Sequence, residues 1–193
     1  MATPLPSPRR LILIFFMVCL ANMVFAAEPA PTANLYSPGN DTYTTLPLRG
    51  SGQLRWRWVL RLYQTSLYLS PAAKEAVNAV PKRLRMDYLR DFSRDDMVRA
   101  TDLTIGNNID AATLLALQPS LTQWNALYPA IKAGDYIEFD HFTGGGLSMR
   151  HNGTTLGTVV DEGLARALFA IWIGPNPVSR DLRDKLVSLP LRK

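Results

Sequence analysis

Arginine side chains interleaved with tryptophans are the most chemically suggestive feature of the sequence. Arg55, Arg57 and Arg61 share one short segment with Trp56 and Trp58. An arginine guanidinium binds a carboxylate or phenolate through a planar fork of N–H donors. Alternation along a strand would place the tryptophans on the face opposite to the arginines, where they cannot stack on bases that the arginines hold. We therefore predict no nucleic-acid binding. Two interpretations of the arginines stay open: a solvated polar face, or a cleft in which one or two of them meet an anionic ligand.

The other reactive side chains form no recognisable catalytic or metal-binding motif. His141 and His151 are ten residues apart without a cluster of further ligands, and we interpret them as solvated strand residues. Cys19 is the single cysteine, which excludes an internal disulfide and a Cys-rich zinc site. Gly144-Gly145-Gly146 lacks the Lys-Ser/Thr of a phosphate loop and precedes a predicted strand, so we interpret it as a hairpin turn. We assign no catalytic residue, no metal ligand and no cofactor.

The first 27 residues have the pattern of a secretory signal peptide. Two arginines precede an apolar run over residues 11–20, and small residues follow at the cleavage site. We predict cleavage after Ala26 or Ala27 and a periplasmic or secreted protein. A retained membrane anchor is the alternative. Two of the positive charges in the formal net charge of +5 belong to this segment, so the basic character of the remaining chain is modest.

Composition predicts one globular domain after the signal peptide. The 193 residues are 47% hydrophobic and 19% charged, which is ordinary for a folded domain. Residues 28–45 contain several Pro, Gly and Asn residues and are predicted to form an irregular N-terminal lead-in, with the domain over 46–193. No further apolar stretch is long enough to span a bilayer, so we expect no stable membrane insertion once the signal is cleaved.

The hydropathy pattern predicts an α+β fold. Alternating residues predict strands within 53–69, 83–88, 136–142, 147–151 and 154–160. Helices are predicted after Ser70-Pro71, from a capping box at Ser93, over 111–117 and 121–131 on either side of Pro119, over 162–173, and after Ser179 as far as Leu189. Asn152-Gly153 is typical of a tight hairpin turn. Hairpins require antiparallel pairing, so we predict an antiparallel sheet with helices packed on one face.

Six blocks of sequence, in order, resemble the bacterial chalcone isomerase-like family over about residues 46–189. They are Gly50-Ser51-Gly52-Gln53-Leu54-Arg55, Leu62-Tyr63-Gln64-Thr65-Ser66-Leu67-Tyr68-Leu69, Tyr88-Leu89-Arg90-Asp91-Phe92-Ser93, Ile131-Lys132-Ala133-Gly134-Asp135, Asn152-Gly153 with Gly157, and Ala167-Leu168-Phe169-Ala170-Ile171-Trp172-Ile173-Gly174 with Pro177. The resemblance implies an open-faced β-sandwich of the chalcone isomerase type, with an apolar cleft between sheet and helices. Plant members of the superfamily cyclise chalcones to flavanones, and other members bind fatty acids without performing a reaction.

The resemblance also allows a prediction about chalcone isomerase activity. The guanidinium of the plant enzyme lies twelve residues before a threonine on the strand that matches residues 62–69 here. If Tyr63 takes the place of that threonine, the position of the guanidinium is Ser51. Flavanone formation needs a cation where negative charge develops, so this register argues against chalcone isomerase activity.

Three residues match the bacterial pattern and are the candidate ligand-binding residues: Arg55, Tyr63 and Arg90. We predict that Arg55 or Arg90 meets a carboxylate or phenolate and that Tyr63 donates its hydroxyl. The alternatives are that Arg90 pairs with Asp87 or Asp91, and that Tyr63 fills the core. Trp172 is assigned to packing in the core, and Gly174 to the end of a helix.

Three functions follow from these observations. The first is an exported, non-catalytic protein that binds a small amphipathic anion such as a fatty acid. The second is an isomerase, an intramolecular lyase, acting on an unidentified conjugated carbonyl compound. The third is a structural or partner-binding domain without a pocket, although the sequence identifies no protein partner.

Overall fold

The structure, a computed structural model, describes residues 28–37, 42–57, 59–70, 73, 75–76, 78 and 81–187. The predicted signal peptide over 1–27, Leu189 and most of the helix predicted after Ser70 lie outside the described residues. Seven strands are present in the described part: β1 Thr32–Ser37, β2 Thr42–Trp56, β3 Leu60–Leu69, β4 Lys82–Tyr88, β5 Tyr136–Phe142, β6 Gly146–His151 and β7 Thr154–Val160. Its helices are α1 Arg94–Ile105, α2 Ala111–Ala126, α3 Glu162–Ile173 and α4 Arg180–Val187.

The strands form one curled antiparallel sheet in chain order, β1-β2-β3-β4-β5-β6-β7. Each strand pairs with the next along the chain. The pair α1 and α2 connects β4 to β5, and the helices pack on one face of the sheet. The predicted α+β architecture, an open-faced sandwich of an antiparallel sheet and a helical layer, is therefore confirmed.

Helix α3 is the centre of the helical layer. Nine of its residues are buried, and Asp161 caps its first turn by accepting a hydrogen bond from the backbone N–H of Leu164 at 2.9 Å. Its apolar side chains pack on strand residues that face the helices, among them Leu84, Phe139 and Met149. The helix ends at Gly174, where a Cβ would lie 2.6 Å from the carbonyl oxygen of Ala170. The predicted bounds of this helix are confirmed.

The N-terminal region differs from the irregular lead-in predicted over 28–45. Residues 32–37 form β1 and residues from Thr42 onward belong to β2. Leu35 and Leu46 are fully buried with Tyr68 and Phe142 in a second, smaller core. The Pro and Gly residues around position 38 predict a loop rather than strands. Burial of the Leu35 and Leu46 side chains nevertheless stabilises the pairing of β1 with β2.

The segment predicted as strand over 53–69 is folded back on itself. Strand β2 ends at Trp56, Arg57 has a positive φ of 48°, and β3 begins at Leu60. Trp56 is not packed as the alternation predicts: 53% of its surface is exposed. The guanidinium of Arg57 lies over the Trp56 ring at 4.4 Å, so arginine and tryptophan share one surface and the predicted separation onto two faces is wrong here.

A single helix, α2, replaces the two helical pieces predicted around Pro119. Proline at this position cannot donate a hydrogen bond to the carbonyl of Leu115. Both residues are exposed, so water can satisfy that carbonyl, while Leu117, Leu121 and Trp124 keep the helix on the core.

The predicted turns and caps are confirmed where the structure describes them. Gly144 and Gly145 have positive φ in the β5–β6 hairpin, as do Asn152 and Gly153 in the β6–β7 hairpin. Ser93 and Asp96 form the capping box of α1. None of the helices among the described residues combines the length and hydropathy needed to cross a bilayer.

Candidate ligand-binding cavity

A cavity of about 430 Å³ lies between the sheet and the helical layer. The strands contribute side chains from β2, β3, β4 and β5, and the helices contribute side chains from α1 and α3. Most of the lining is apolar, including Leu54, Met86, Met97, Phe139 and Ile171. Both the volume and the lining are those of a small-molecule site, in which a few polar groups orient a mainly apolar ligand.

A β-bulge positions the β3 side of the cavity. Leu54 pairs with Tyr63, but the next pair is Arg55 with Arg61, so Leu62 is an extra residue in β3. A bulge breaks the strict alternation of faces, and Leu62 and Tyr63 both line the cavity although they are adjacent in sequence.

Tyr63 forms the principal polar contact between sheet and helix in the cavity. Its hydroxyl accepts a hydrogen bond from the indole Nε1 of Trp172 on α3 at 3.0 Å. Burial raises the pKa of Tyr63 well above its usual value, although the bond from Trp172 opposes the rise. Tyr63 is therefore a neutral hydroxyl that retains its own proton for donation.

A second hydroxyl pair lines the helical side of the cavity. Thr101 Oγ1 and the hydroxyl of Tyr128 are 2.8 Å apart, and Trp124 Nε1 donates to the same tyrosine at 3.3 Å. Burial raises the pKa of Tyr128 to about 12, so this group is also neutral at physiological pH. The buried hydroxyls can donate to a ligand oxygen without carrying charge.

The charged residues among the described lining are acidic. Asp91 binds the ammonium of Lys132 at 2.9 Å and the backbone N–H of Ala133 at 2.9 Å. Asp96 accepts hydrogen bonds from Ser93 as part of the capping box. Hydrogen bonds lower the pKa of both carboxyl groups, so both are ionised at neutral pH.

Of the three predicted site residues, the structure places Tyr63 in the cavity lining, whereas Arg55 and Arg90 are exposed and outside it. Asp87 binds Arg85 and Asp91 binds Lys132, so Arg90 makes neither of the ion pairs considered for it. Arg55 donates to Gln53 at 3.3 Å. Both arginines nevertheless lie just beyond a row of paired residues that crosses β2, β3 and β4.

That row consists of Leu54, Tyr63 and Tyr88, which are cross-strand partners and all line the cavity. β2 and β4 run in the same direction, because each is antiparallel to β3. Arg55 therefore lies one residue beyond the row, and Arg90 two residues beyond it, at the same end of the sheet.

A buried cluster of titratable side chains lies outside the cavity lining. Lys82 and His141 are cross-strand partners with fully buried side chains. His141 Nε2 lies 2.9 Å from Glu162 Oε2, and Lys82 Nζ lies 4.7 Å from the centre of the Phe169 ring. The prediction that His141 is solvated is wrong, because α3 covers it. No group of three or more potential metal ligands occurs in the part of the chain that the structure describes.

Sequence reasoning missed the polar role of Trp172, which was assigned to packing alone. It is buried, as predicted, but it also lines the cavity and donates to Tyr63. The sequence gives no signal for Thr101 and Tyr128 either. They are 27 positions apart, and no local pattern indicates that they meet.

A curled antiparallel sheet, a helical layer on one face and an apolar cavity between them define a protein of the chalcone isomerase-like fold. The family model for "Chalcone isomerase-like" matches residues 35–188. The chain belongs to this family.

Comparison with solved structures supports the same fold. The crystal structure of a fatty-acid binding protein of Arabidopsis thaliana is similar, with a TM-score of 0.60 at 14% sequence identity. The match covers 80% of this chain and 96% of that chain. No curated protein matches the sequence.

Proposed function

We propose that this protein is an exported, non-catalytic binding protein that holds a small amphipathic anion, such as a fatty acid, in the cavity between sheet and helices. The observation that carries the proposal is the mainly apolar cavity of about 430 Å³ with the Tyr63 hydroxyl in its lining. The similar plant structure is that of a fatty-acid binding protein, which supports the same class of ligand.

The position of the ligand follows from the cost of burying charge. A carboxylate without hydrogen bonds or a cation is strongly disfavoured in an apolar cavity, whereas an acyl chain gains free energy on burial. We therefore place the acyl chain among the apolar side chains and the carboxylate at the end of the sheet where Arg55 and Arg90 lie. Tyr63 donates to a ligand oxygen within the cavity.

The described lining supports binding rather than cyclisation. Its ionised groups are Asp91 and Asp96, and it includes no lysine or arginine. Negative charge that developed on a bound phenolate or enolate would meet no cation among these residues. Tyr63 is the observation that favours the second candidate, an isomerase acting on a conjugated carbonyl, because a neutral hydroxyl in an apolar cavity can stabilise an oxyanion.

Extraction of the purified protein tests the first function. The protein is denatured, extracted with organic solvent, and the extract is analysed by mass spectrometry. A co-purified fatty acid at a near-stoichiometric amount supports the proposal. An empty extract together with no saturable binding of added C14–C18 fatty acids would contradict it. Turnover of any member of a panel of conjugated enones, lost in Tyr63→Phe, would favour the isomerase instead.

A further inference from the structure

We infer that the β2–β3 hairpin docks the protein on an anionic phospholipid surface. The hairpin is defined here as the described residues 55–57 and 59–61, and it continues directly from the cavity-lining residues Leu54, Leu62 and Tyr63. The inference goes beyond the proposed function and does not require that the cavity holds a fatty acid.

Two apolar side chains among the described residues of the hairpin are largely exposed. Trp56 is 53% exposed and Val59 is 87% exposed. The strand pairing ends at the contact of Trp56 with Leu60, so these side chains project at the end of the sheet. An exposed aromatic ring beside a branched apolar side chain is suited to the boundary between headgroups and acyl chains.

The charge of the hairpin matches an anionic surface. Arg55 and Arg61 are cross-strand partners, and Arg57 stacks on the ring of Trp56 at 4.4 Å. The sequence contains no Asp or Glu from Thr42 to Lys74, so no acidic residue of this stretch offsets the three arginines. A guanidinium that stacks on an aromatic ring can still direct its N–H donors to a lipid phosphate, and the Arg57 guanidinium lies over the Trp56 ring in this way.

A membrane fits these observations better than a protein partner. A stable protein interface buries about 800 Å² on each side around an apolar centre. The described residues of the hairpin offer two exposed apolar side chains beside arginines, which is a small wedge rather than an interface centre. Shallow insertion of such a wedge, with electrostatic attraction to anionic lipid, is sufficient for reversible binding to a bilayer.

Docking in this orientation would bring the cavity toward the bilayer. Leu54 and Leu62, which line the cavity, flank the hairpin directly on its two strands. The hairpin would therefore lie in the headgroup layer with the arginine-bearing end of the cavity beside it.

Sedimentation of the purified protein with vesicles tests the inference. The vesicles contain phosphatidylglycerol and phosphatidylcholine at 3:7, with pure phosphatidylcholine for comparison, at 100 mM salt. We expect binding only to the anionic vesicles. Trp56→Ser with Val59→Ser should weaken it at least about tenfold, and Arg57→Gln with Arg61→Gln about thirtyfold, since each cation near such a surface contributes about fivefold.

Matched variants control for surface polarity and folding. Leu103→Ser with Val160→Ser changes two other largely exposed apolar residues, and Arg166→Gln removes an exposed cation on α3. These should bind vesicles as the unmodified protein does, and urea midpoints should show that all variants are folded. Equal binding to both vesicle types would overturn the inference, as would wild-type binding by the hairpin variants.

A soluble polyanion distinguishes a membrane from nucleic acid or another acidic polymer. Heparin binding as strong as vesicle binding, and unaffected by Trp56→Ser with Val59→Ser, would also overturn the inference. Fatty-acid binding is measured on the same variants without vesicles. Its presence or absence reports on the proposed function separately, because neither Trp56 nor Val59 lines the cavity.

Discussion

The indole Nε1 of Trp172 donates a hydrogen bond to the hydroxyl of Tyr63 at 3.0 Å, and this bond joins α3 to β3 across 109 positions of sequence. Because the tyrosine oxygen is the acceptor, its own proton is available for another partner. The pair therefore fixes a neutral donor in the wall of an apolar cavity, with Tyr63 also packed against Tyr88 at a ring distance of 5.4 Å.

Replacing Tyr63 by Phe should weaken ligand binding and the fold together. Loss of the hydroxyl leaves the buried indole N–H of Trp172 without its acceptor, which should lower the free energy of unfolding by about 1–3 kcal/mol. Loss of a donor to the ligand should raise the Kd for a fatty acid about tenfold. Urea denaturation and displacement of a fluorescent fatty acid measure the two effects.

The Trp172→Phe variant separates the two roles of this bond. It removes the indole donor and keeps the Tyr63 hydroxyl, so it should lower stability while changing the Kd less than Tyr63→Phe does. Equal affinity in the Tyr63→Phe variant and the unmodified protein would show that this hydroxyl does not contact the ligand.

Gly50 is predicted to be essential for the packing of α4 on the sheet. A Cβ at this position would lie 2.2 Å from the carbonyl oxygen of Lys185 and 2.4 Å from that of Leu186. These are backbone atoms and cannot move aside as a flexible side chain would. Gly50→Ala should therefore lower the free energy of unfolding by about 3 kcal/mol in urea denaturation.

Gly106→Ala is the matched control for this substitution. The nearest atom to a Cβ there is Leu114 Cδ2 at 3.8 Å, an ordinary contact, and the backbone is right-handed helical. The free energy of unfolding of Gly106→Ala should stay within about 0.5 kcal/mol of that of the unmodified protein. A similar loss in both variants would contradict the close approach of α4 to β2.

Burial of Lys82 should make the protein more stable as the pH rises from about 7.5 to 9.5. Burial lowers the pKa of Lys82 to about 8, although Glu162 opposes the shift. The unfolded chain, with a lysine pKa near 10.4, binds more protons than the folded chain in this window, so the free energy of unfolding increases with pH. We expect a gain of roughly 2 kcal/mol by chemical denaturation.

A Lys82→Met variant tests whether this residue causes the increase of stability with pH. Methionine retains the length of the side chain without a titrating group, so stability should become nearly independent of pH over the same window. Above pH 10 the buried tyrosines, whose pKa values are raised, should lower stability in both proteins because the unfolded tyrosines lose protons first. If the free energy of unfolding of Lys82→Met increased with pH as it does in the unmodified protein, Lys82 would not be the cause of the increase.

Much of the fold could be predicted because local patterns agree with it. The capping box at Ser93, the glycines of the β5–β6 turn and the apolar stripe of α3 each act over a few residues. The errors have non-local causes. Strand β1 depends on burial of Leu35 against Tyr68 and Phe142, and α2 continues through Pro119 because its other face packs on the core.

The candidate site could be predicted only in part. Tyr63 matches a family pattern, and it lines the cavity. Its partner Trp172 and the Thr101–Tyr128 pair are brought together by packing of helices on the sheet, which no sequence spacing indicates. The alternation of residues 55–61 was misleading because a bulge and a turn interrupt the strand there.

Blocking the cavity is the most direct test of the account. Ala100 on α1 lines the cavity and has an exposed surface, whereas Ala112 on α2 is exposed outside it. Ala100→Trp should place an indole against the cavity at a cost of less than about 1 kcal/mol in stability. Titration of the delipidated proteins with a C16 fatty acid should then give one-to-one binding for the unmodified protein and Ala112→Trp, and at least a tenfold weaker Kd for Ala100→Trp. Equal binding by all three proteins, or binding by none, would contradict a fatty-acid site in this cavity.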